Sequence, residues 1–485
     1  MMKSRIFSVN QSKNIKLEGH IINPETDIDK VKYGIVALGQ GGGKLAVEFN
    51  RIGHYVSLFN TASEDLLNAE QSLKEIGSNN YKITKFSGFD GAKKDRTIGL
   101  KAVHENLEII QENLVDDEHL RSVDFVWVLA AFGGGTGSGS VTDVVKIVSS
   151  LVRNGDMRIG YEESDDYILN EGKPTVGVIA MLPDDSSGHR VKLNAAEALK
   201  ELTELQEEGV LGNILVIDNE KLISDAIKDN ESTFKWHEKG NAAVVSMITE
   251  ITVTSSIPSQ ESFDKSELLD IFSEPGFLCF SKYSFDSRHD NNIENIAKQS
   301  VKSQIFADGY DLSDALVASF VLVKKNNTRL ISDREELLLK KEISNLMSNT
   351  RYIHYGVYDA FTTQDYETAI KNIGRHDSAE KDRVVTYTMS VMKNPPERII
   401  DMTKSALLKR SETESILSKS VNKLDELTLS KVEPKFKKKA DVSLSDLLSK
   451  PNKTKASLRI LSGETSEKNP KSAILPDLLD LKTRL

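Results

Sequence analysis

The 485-residue chain carries 63 Lys and Arg against 73 Asp and Glu, a formal charge of −10, with nine His and one Cys. A lone cysteine excludes a disulfide within the chain, the histidines show no metal-ligand spacing, and no apolar run reaches the roughly 18 residues that span a membrane. The length exceeds the roughly 250–300 residues at which one hydrophobic core stops growing, so two or three domains are expected in a cytoplasmic globular protein.

Residues 1–30 read as an N-terminal extension without the continuous apolar stretch of a signal peptide. Strands and helices then alternate. "KYGIVALG" runs into the helix-like "QGGGKLAVEFNRIG", "HYVSLFNTA" precedes the helical "SEDLLNAEQSLKEIG", and "VDFVWVLAA", "TVGVIAMLP" and "GNILVIDN" are each followed by helical patterns. Strands separated by helices predict parallel βαβ units, which gather ligands at the carboxyl ends of their strands. Two glycine-rich stretches, "GQGGGK" from Gly39 and "GGGTGSG" from Gly133, sit at such ends.

Bare main-chain N–H groups at a helix N-terminus bind phosphate. Neither stretch is a Walker A loop or a dinucleotide fingerprint: Leu38 stands where the first Walker glycine belongs, Leu45 replaces the Ser or Thr hydroxyl, and no G-x-G-x-x-G occurs at either cluster. One such loop alone is equally a flexible turn. Two in the same parallel sheet point to a phosphate cradle, with the hydroxyls of Thr136 and Ser138 on offer to phosphate oxygens or to a metal-bound water.

A buried helix, "WHEKGNAAVVSMITEITVT", is predicted next and links two domains. Beyond it "NNIENIAKQSVKSQIF", "DALVASFVLVKK", "REELLLKKEISNLM", "RYIHYGVYDAF" and "DRVVTYTMSVMK" predict a smaller α+β unit with a mixed sheet, and Cys279 in "GFLCFSKYSF" reads as a buried strand thiol. Pro395 and Pro396 mark a boundary before a C-terminal helix. Residues 431–485 are polar and aperiodic, as a disordered tail should be. Residues 416–485 carry 15 Lys and Arg against 9 Asp and Glu, so +6, which leaves −16 on the rest. The body repels DNA; the tail, with "KFKKK" at Lys435–Lys439, attracts DNA or an acidic partner, or is only a solvated spacer. Its end, "AILPDLLDLKTRL", suits a segment that folds against a partner.

"GGGTGSG" resembles the signature of the tubulin/FtsZ family, and the order of the surrounding motifs is similar over approximately residues 30 to 400. The resemblance implies a GTP-binding domain at 31–235, a central helix at 236–258, an activation domain at 259–396 and a C-terminal helix at 397–430, ahead of the flexible basic tail. It implies that GTP or GDP is held by Gly39, Gln40, Gly41, Gly42 and Gly43 of the first loop and by Gly133, Gly134, Gly135, Thr136, Gly137, Ser138 and Gly139 of the second. "FNTASEDL" is similar to the family's "NTD" loop, which adds Asn60 and Thr61, with Ala62 where that loop has Asp; Gly91 of "GFDGAKKDRTIG" stands in the γ-phosphate-sensing loop. Asn219 of "IDNEKL", similar to "IPNDKL" of FtsZ, and Asn241, opening the central helix, are the implied guanine contacts. The loop after "AMLP" departs from FtsZ, and no ribose contact is assigned.

"FDKSELLDIFSEPGFLCFS" resembles the stretch that carries the family's two catalytic acids, here Asp264 and Glu267, with Ser262 replacing the usual Asn. Spacing alone suits helix-capping acids as well. The resemblance implies that these acids act on the GTP of a neighbouring copy in a head-to-tail homopolymer, and that Mg²⁺ is held through phosphates and water, with no protein metal ligand. Within the family the chain looks most like TubZ, the plasmid- and phage-borne branch that moves DNA through a small helix-turn-helix adaptor, TubR, bound by the C-terminal tail; no membrane partner is implied. The alternatives are an FtsZ-type cell-division GTPase, whose C-terminal peptide "ILPDLLDLK" echoes, a tubulin that centres phage DNA, and, outside the family, a non-polymerising nucleotide-binding regulator or an NAD-linked oxidoreductase.

Overall fold

A computed structural model describes residues 15–17, 20–22, 31–115, 117, 119–153, 173–228, 236–256, 259, 261–286, 292–324, 332–359 and 384–429. The expected tail lies outside the described residues, as does most of the N-terminal extension, in which β1 (Ile15–Leu17) and β2 (His20–Ile22) pair antiparallel. The alternation then unfolds in order: β3 (Tyr33–Leu38), α1 (Gly39–Arg51), β4 (Val56–Asn60), α2 (Ser63–Glu75), β5 (Tyr81–Lys85), α3 (Arg96–Glu105), α4 (Leu107–Val115), β6 (Phe125–Ala131), α5 (Gly135–Arg153), β7 (Val176–Leu182), α6 (His189–Glu207), β8 (Asn213–Asp218) and α7 (Asn219–Lys228). Next come α8 (Trp236–Thr254), the expected central helix, α9 (Lys265–Ser273), β9 (Gly276–Phe285), α10 (Ile293–Lys302), β10 (Ala315–Lys324), α11 (Asp333–Leu346), β11 (Ile353–Asp359), β12 (Val384–Met392) and α12 (Glu397–Leu429).

Ten strands form one sheet in the order β11-β10-β12-β9-β8-β7-β6-β3-β4-β5. From β9 to β5 every pairing is parallel, and β12 is antiparallel to both β9 and β10. The expected parallel α/β unit and the smaller mixed-sheet unit are both present. They are continuous through three residue pairs, Asn213 with Gly276, Ile214 with Phe277 and Leu215 with Leu278. The chain divides into two compact units at Leu407/Leu408, so the expected boundaries at 235/236, 258/259 and 396/397 all fall within the first. In the second unit α12 continues to Leu429, and Arg410 Nε donates to Glu414 Oε1 at 3.0 Å one turn on.

The central strands are buried on both faces, which is why their sequences read as unbroken apolar runs. Alternate residues feed two cores. Val36, Leu38, Val126 and Val128 pack with α3, α4, α5 and α6; Ile35, Ala37, Phe125 and Trp127 pack with α1, α8 and α9. The helices after β3 and β6 therefore leave neighbouring strands toward opposite faces. That reversal opens a crevice at the carboxyl ends of the two strands, the usual place for a ligand in an open α/β sheet. No helix among the described residues is long and apolar enough to cross a membrane. Cys279 is buried in β9, and burial pushes its thiol up to about 12.

Candidate functional site: a nucleotide cradle and a distant acidic pair

A cavity of about 470 Å³ occupies the crevice. Gly39, Gln40, Gly41, Thr61, Gly91, Gly133, Gly134, Gly135, Thr136, Gly137, Asn219 and Asn241 line it, so the structure gathers twelve of the seventeen expected nucleotide residues around one space. Close approach explains the second loop. A Cβ on Gly137 would stand 2.7 Å from the carbonyl oxygen of Ala131, and one on Gly135 would meet the Asp95 backbone at 2.7 Å. Gly134 differs: it lines the cavity, and the nearest protein atom to such a Cβ is 3.6 Å away. Immediately after it the 19-residue α5 begins, presenting unpaired N–H groups and the positive end of its dipole.

The other five lie beside the cavity and serve its walls. A Cβ on Gly42 would strike the Leu129 carbonyl oxygen at 2.4 Å, so this residue seats α1 against β6, while Gly43 faces Leu58 of β4. Asn60 is buried, donating from Nδ2 to Asp65 Oδ2 at 3.2 Å and accepting from the Ala62 N–H at 3.2 Å. The Ser138 hydroxyl, expected to face phosphate, is buried and donates to the Gly134 carbonyl oxygen. Gly139 admits α3, where a Cβ would lie 2.1 Å from the Arg96 carbonyl oxygen. Asn241 sits in the second turn of α8 rather than at its opening, because that helix starts at Trp236.

Several cavity residues carried no glycine signal. Lys44, Lys93 and Lys94 line it with the carboxylates Asp65 and Asp184. Lys93 and Lys94, at φ of 50° and 58°, are the non-glycine residues with positive φ among the described ones, a conformation costing roughly 1–2 kcal/mol per residue. Such strain gathers at ligand sites. Asp65 follows Ala62 by three residues on α2, and its second carboxylate oxygen accepts from Gln40 Nε2 at 3.0 Å. Thr61 ties three loops together: its hydroxyl meets that of Thr136 at 2.7 Å, and its carbonyl accepts from the Gly91 N–H at 3.2 Å. Beyond the β7 strand, Asp184 and Ser187 line the wall where no contact was assigned. Burial alone would raise the Asp184 carboxyl, yet the Ser186 hydroxyl and neighbouring N–H groups hold it below the usual carboxylate range.

Arg398, at the root of α12, braces the floor. Its Nε donates to Asp218 Oδ2 at 3.1 Å, and the guanidinium lies 2.9 Å from Asp185 Oδ1. Asp218 immediately precedes Asn219 and is buried; burial raises its carboxyl despite the opposing arginine.

Asp264 and Glu267 are elsewhere. Lys265, between them, pairs with Asp124 at 3.2 Å, Lys173 pairs with Asp270 at 2.8 Å, and Asn213 Nδ2 donates to the Ile271 carbonyl at 2.9 Å. Asp124, Lys173 and Asn213 stand at the amino ends of β6, β7 and β8, so α9 lies across the end of the sheet opposite the cradle. The seven residues of β6 alone separate the two by about 20 Å. Phe272 anchors the helix, its ring centroid 5.1 Å from that of the buried Trp127.

Locally the acids form a reciprocal capping box, as their spacing allowed. Asp264 Oδ1 accepts from the Glu267 N–H at 3.0 Å, and Glu267 Oε2 accepts from the Asp264 N–H at 3.1 Å. Partial burial would raise the Asp264 carboxyl, but the Ser266 hydroxyl and the N–H groups of Glu267 and Ser266 hold it below the ordinary range. Glu267 Oε1 also meets His354 Nδ1 at 2.9 Å, a contact with no counterpart in any local sequence pattern.

No protein-family model matches the chain. Over 410 residues it is 24% identical to the tubulin-like protein TubZ of Bacillus cereus, which covers 81% of this chain and 86% of that protein. It is also 24% identical over 388 residues to the tubulin-like protein CetZ of Pyrococcus horikoshii, covering 77% and 94% respectively. A solved GTPγS-form protofilament of Bacillus thuringiensis serovar israelensis TubZ superposes with a TM-score of 0.60 at 18% identity, over 80% of this chain and 94% of that one. With the cradle at one end of its sheet and the acids at the other, the chain has a tubulin/FtsZ-like fold and is similar in sequence to TubZ over most of its length.

Proposed function

We propose that this protein is a filament-forming GTPase whose catalytic centre is completed between two copies of the chain. The observation that carries the reading is the separation of cradle and acids along the sheet: no motion short of unfolding brings Glu267 onto a nucleotide in its own crevice. Stacking copies head to tail places one copy's α9 over the next copy's cradle. Such a heterologous contact repeats without closing, and so extends into a filament. The protofilament form of the TubZ relative supports this arrangement.

In the composite centre the N–H groups at the start of α5 hold the phosphates, while Lys44, Lys93 and Lys94 offset their charge. Asn219 and Asn241 read the guanine edge. Glu267 orients the attacking water and accepts its proton, and Asp264 holds Glu267 through the capping box. Among the described residues no group of three or more His, Cys, Asp or Glu could hold a metal ion. Magnesium would be held through phosphate oxygens and water, with the cavity carboxylates Asp65 and Asp184 available to that water, since Ala62 offers none. The ion, when bound, neutralises charge on the β and γ oxygens.

The finer reading is DNA partition in the cytoplasm: residues 431–485 bind a TubR-type helix-turn-helix adaptor, which links the filament to DNA without membrane involvement. Similarity to TubZ along most of the chain and the basic tail support it. Two experiments test the proposal. GTP turnover per molecule is expected to rise steeply with protein concentration; turnover independent of concentration contradicts the composite centre. Deleting residues 431–485 should leave assembly intact and abolish capture by adaptor-coated DNA, and undiminished capture rejects the tail's role.

A further inference from the structure

A carboxylate offers about four lone-pair directions. Glu267 uses one on each oxygen, Oε2 for the Asp264 N–H and Oε1 for His354, and its side chain keeps 29% exposure, so the carboxylate is still reachable from outside. His354 is more enclosed, at 16%. Its Nε2 is buried and has no hydrogen-bond partner among the described residues. With a single acceptor in reach, the proton belongs on Nδ1, a tautomer assigned from its partner. The ring is fixed edge-on to Tyr352, at a centroid distance of 4.9 Å, and packs beside Phe263.

The same strand braces the whole acidic segment. The Val357 N–H donates to the Glu261 carbonyl at 2.8 Å. The Tyr358 hydroxyl accepts from the Phe263 N–H at 2.8 Å and donates to the Phe263 carbonyl at 2.9 Å, fixing the residue directly before Asp264. β11 thus templates residues 261 to 267 at three points, and the one that touches a carboxylate is His354.

We infer that His354 is a positioning residue for hydrolysis, holding the Glu267 carboxylate in the orientation that meets the water on the next copy's nucleotide. The inference rests on the composite-centre reading above. The histidine contributes by removing freedom: with one oxygen tied to the backbone of Asp264 and the other to Nδ1, the carboxylate is held in one orientation. A histidine needed only for packing would not depend on a donor at Nδ1.

The test compares His354→Leu, which keeps the apolar packing and removes the donor, with His354→Asn, whose amide nitrogen reaches approximately the position of Nδ1. Equilibrium binding of a fluorescent GTP analogue, sedimentation of filaments and turnover per sedimented subunit are measured on the full chain, with Glu267→Gln alongside. His354→Leu is expected to bind nucleotide and assemble as wild type while its turnover falls about tenfold, and His354→Asn to recover most of that loss. Wild-type turnover in His354→Leu, or equal loss in the Leu and Asn variants, overturns the inference while a slow Glu267→Gln leaves the composite centre standing. Wild-type turnover in Glu267→Gln removes the composite centre and this inference together.

Discussion

At the carboxyl end of the sheet the ligand-facing surface is main chain, from Gly134 to Gly137, whereas at the amino end it is two carboxylates held by a helix cap and a histidine. The first surface can receive any phosphate-bearing ligand, and its form is set by how closely α1, α3 and α5 approach one another. The second is a pair of partly exposed carboxylates, and in the proposed composite centre they meet a nucleotide held by another copy. A binding end and a reacting end built of such different materials can therefore be disabled separately, which is the basis of the expectations below.

The two largest effects, each about 100-fold, are expected at the two ends, and the first is from Gly134→Leu. Gly134 lines the cavity and a Cβ there meets no protein atom closer than 3.6 Å, so the backbone accommodates the branch point while the added bulk competes with a ligand. GTP affinity should fall about 100-fold, roughly 2.7 kcal/mol, while the thermal midpoint stays near wild type. A parallel fall in both would show that the loop is structural rather than ligand-facing.

Glu267→Gln addresses the other end. Glutamine at the third helical position preserves the capping box, so stability and GTP binding should remain, while turnover drops about 100-fold through loss of the proton acceptor. Unchanged turnover would reduce the acid pair to the capping role its hydrogen bonds already display.

A smaller effect is expected from Arg398→Met, which leaves the buried Asp218 without its ion partner at a cost of about 1–2 kcal/mol near neutrality. The pH dependence has a definite sign. Asp218 is already raised above its ordinary 3.8, so the folded state favours its protonated form, and removing the arginine raises it further. The stability deficit of the variant should thus be small at about pH 4 and grow toward about pH 7 in denaturant titrations. A deficit independent of pH would place the arginine's contribution in packing.

The cradle was legible because parallel strands and glycines leave local marks: unbroken apolar runs, and bare backbone at their ends. Its walls were less so. Lys93 and Lys94 adopt a backbone that sequence reasoning assigns to glycine, and Ser138 turns inward because its hydroxyl caps the loop's own carbonyl. Asp65 was visible in principle, three residues beyond the missing acid and so on the same helical face. The β5 strand, "YKITK", went unread because only one of its five residues is fully buried, and α3 because its glycine and charges resemble a loop until Gly135 and Gly139 let it pack. Joining the mixed sheet to the parallel one takes three residue pairs between strands 63 positions apart, from Asn213 to Gly276, which leaves no local pattern. The capping box was legible in the spacing of the acids, while a reacting role for the same pair is implied by resemblance alone, since the two share one spacing. His354, far from them in sequence, carried no signal at all.

The claim that two copies build one catalytic centre is tested most directly by mixing Gly134→Leu protein, which keeps its acids, with Glu267→Gln protein, which keeps its cradle. Neither should hydrolyse GTP appreciably alone, and the mixture should, because junctions form in which the wild-type acids of one meet the nucleotide held by the other. A mixture as inactive as its separate components would contradict the account.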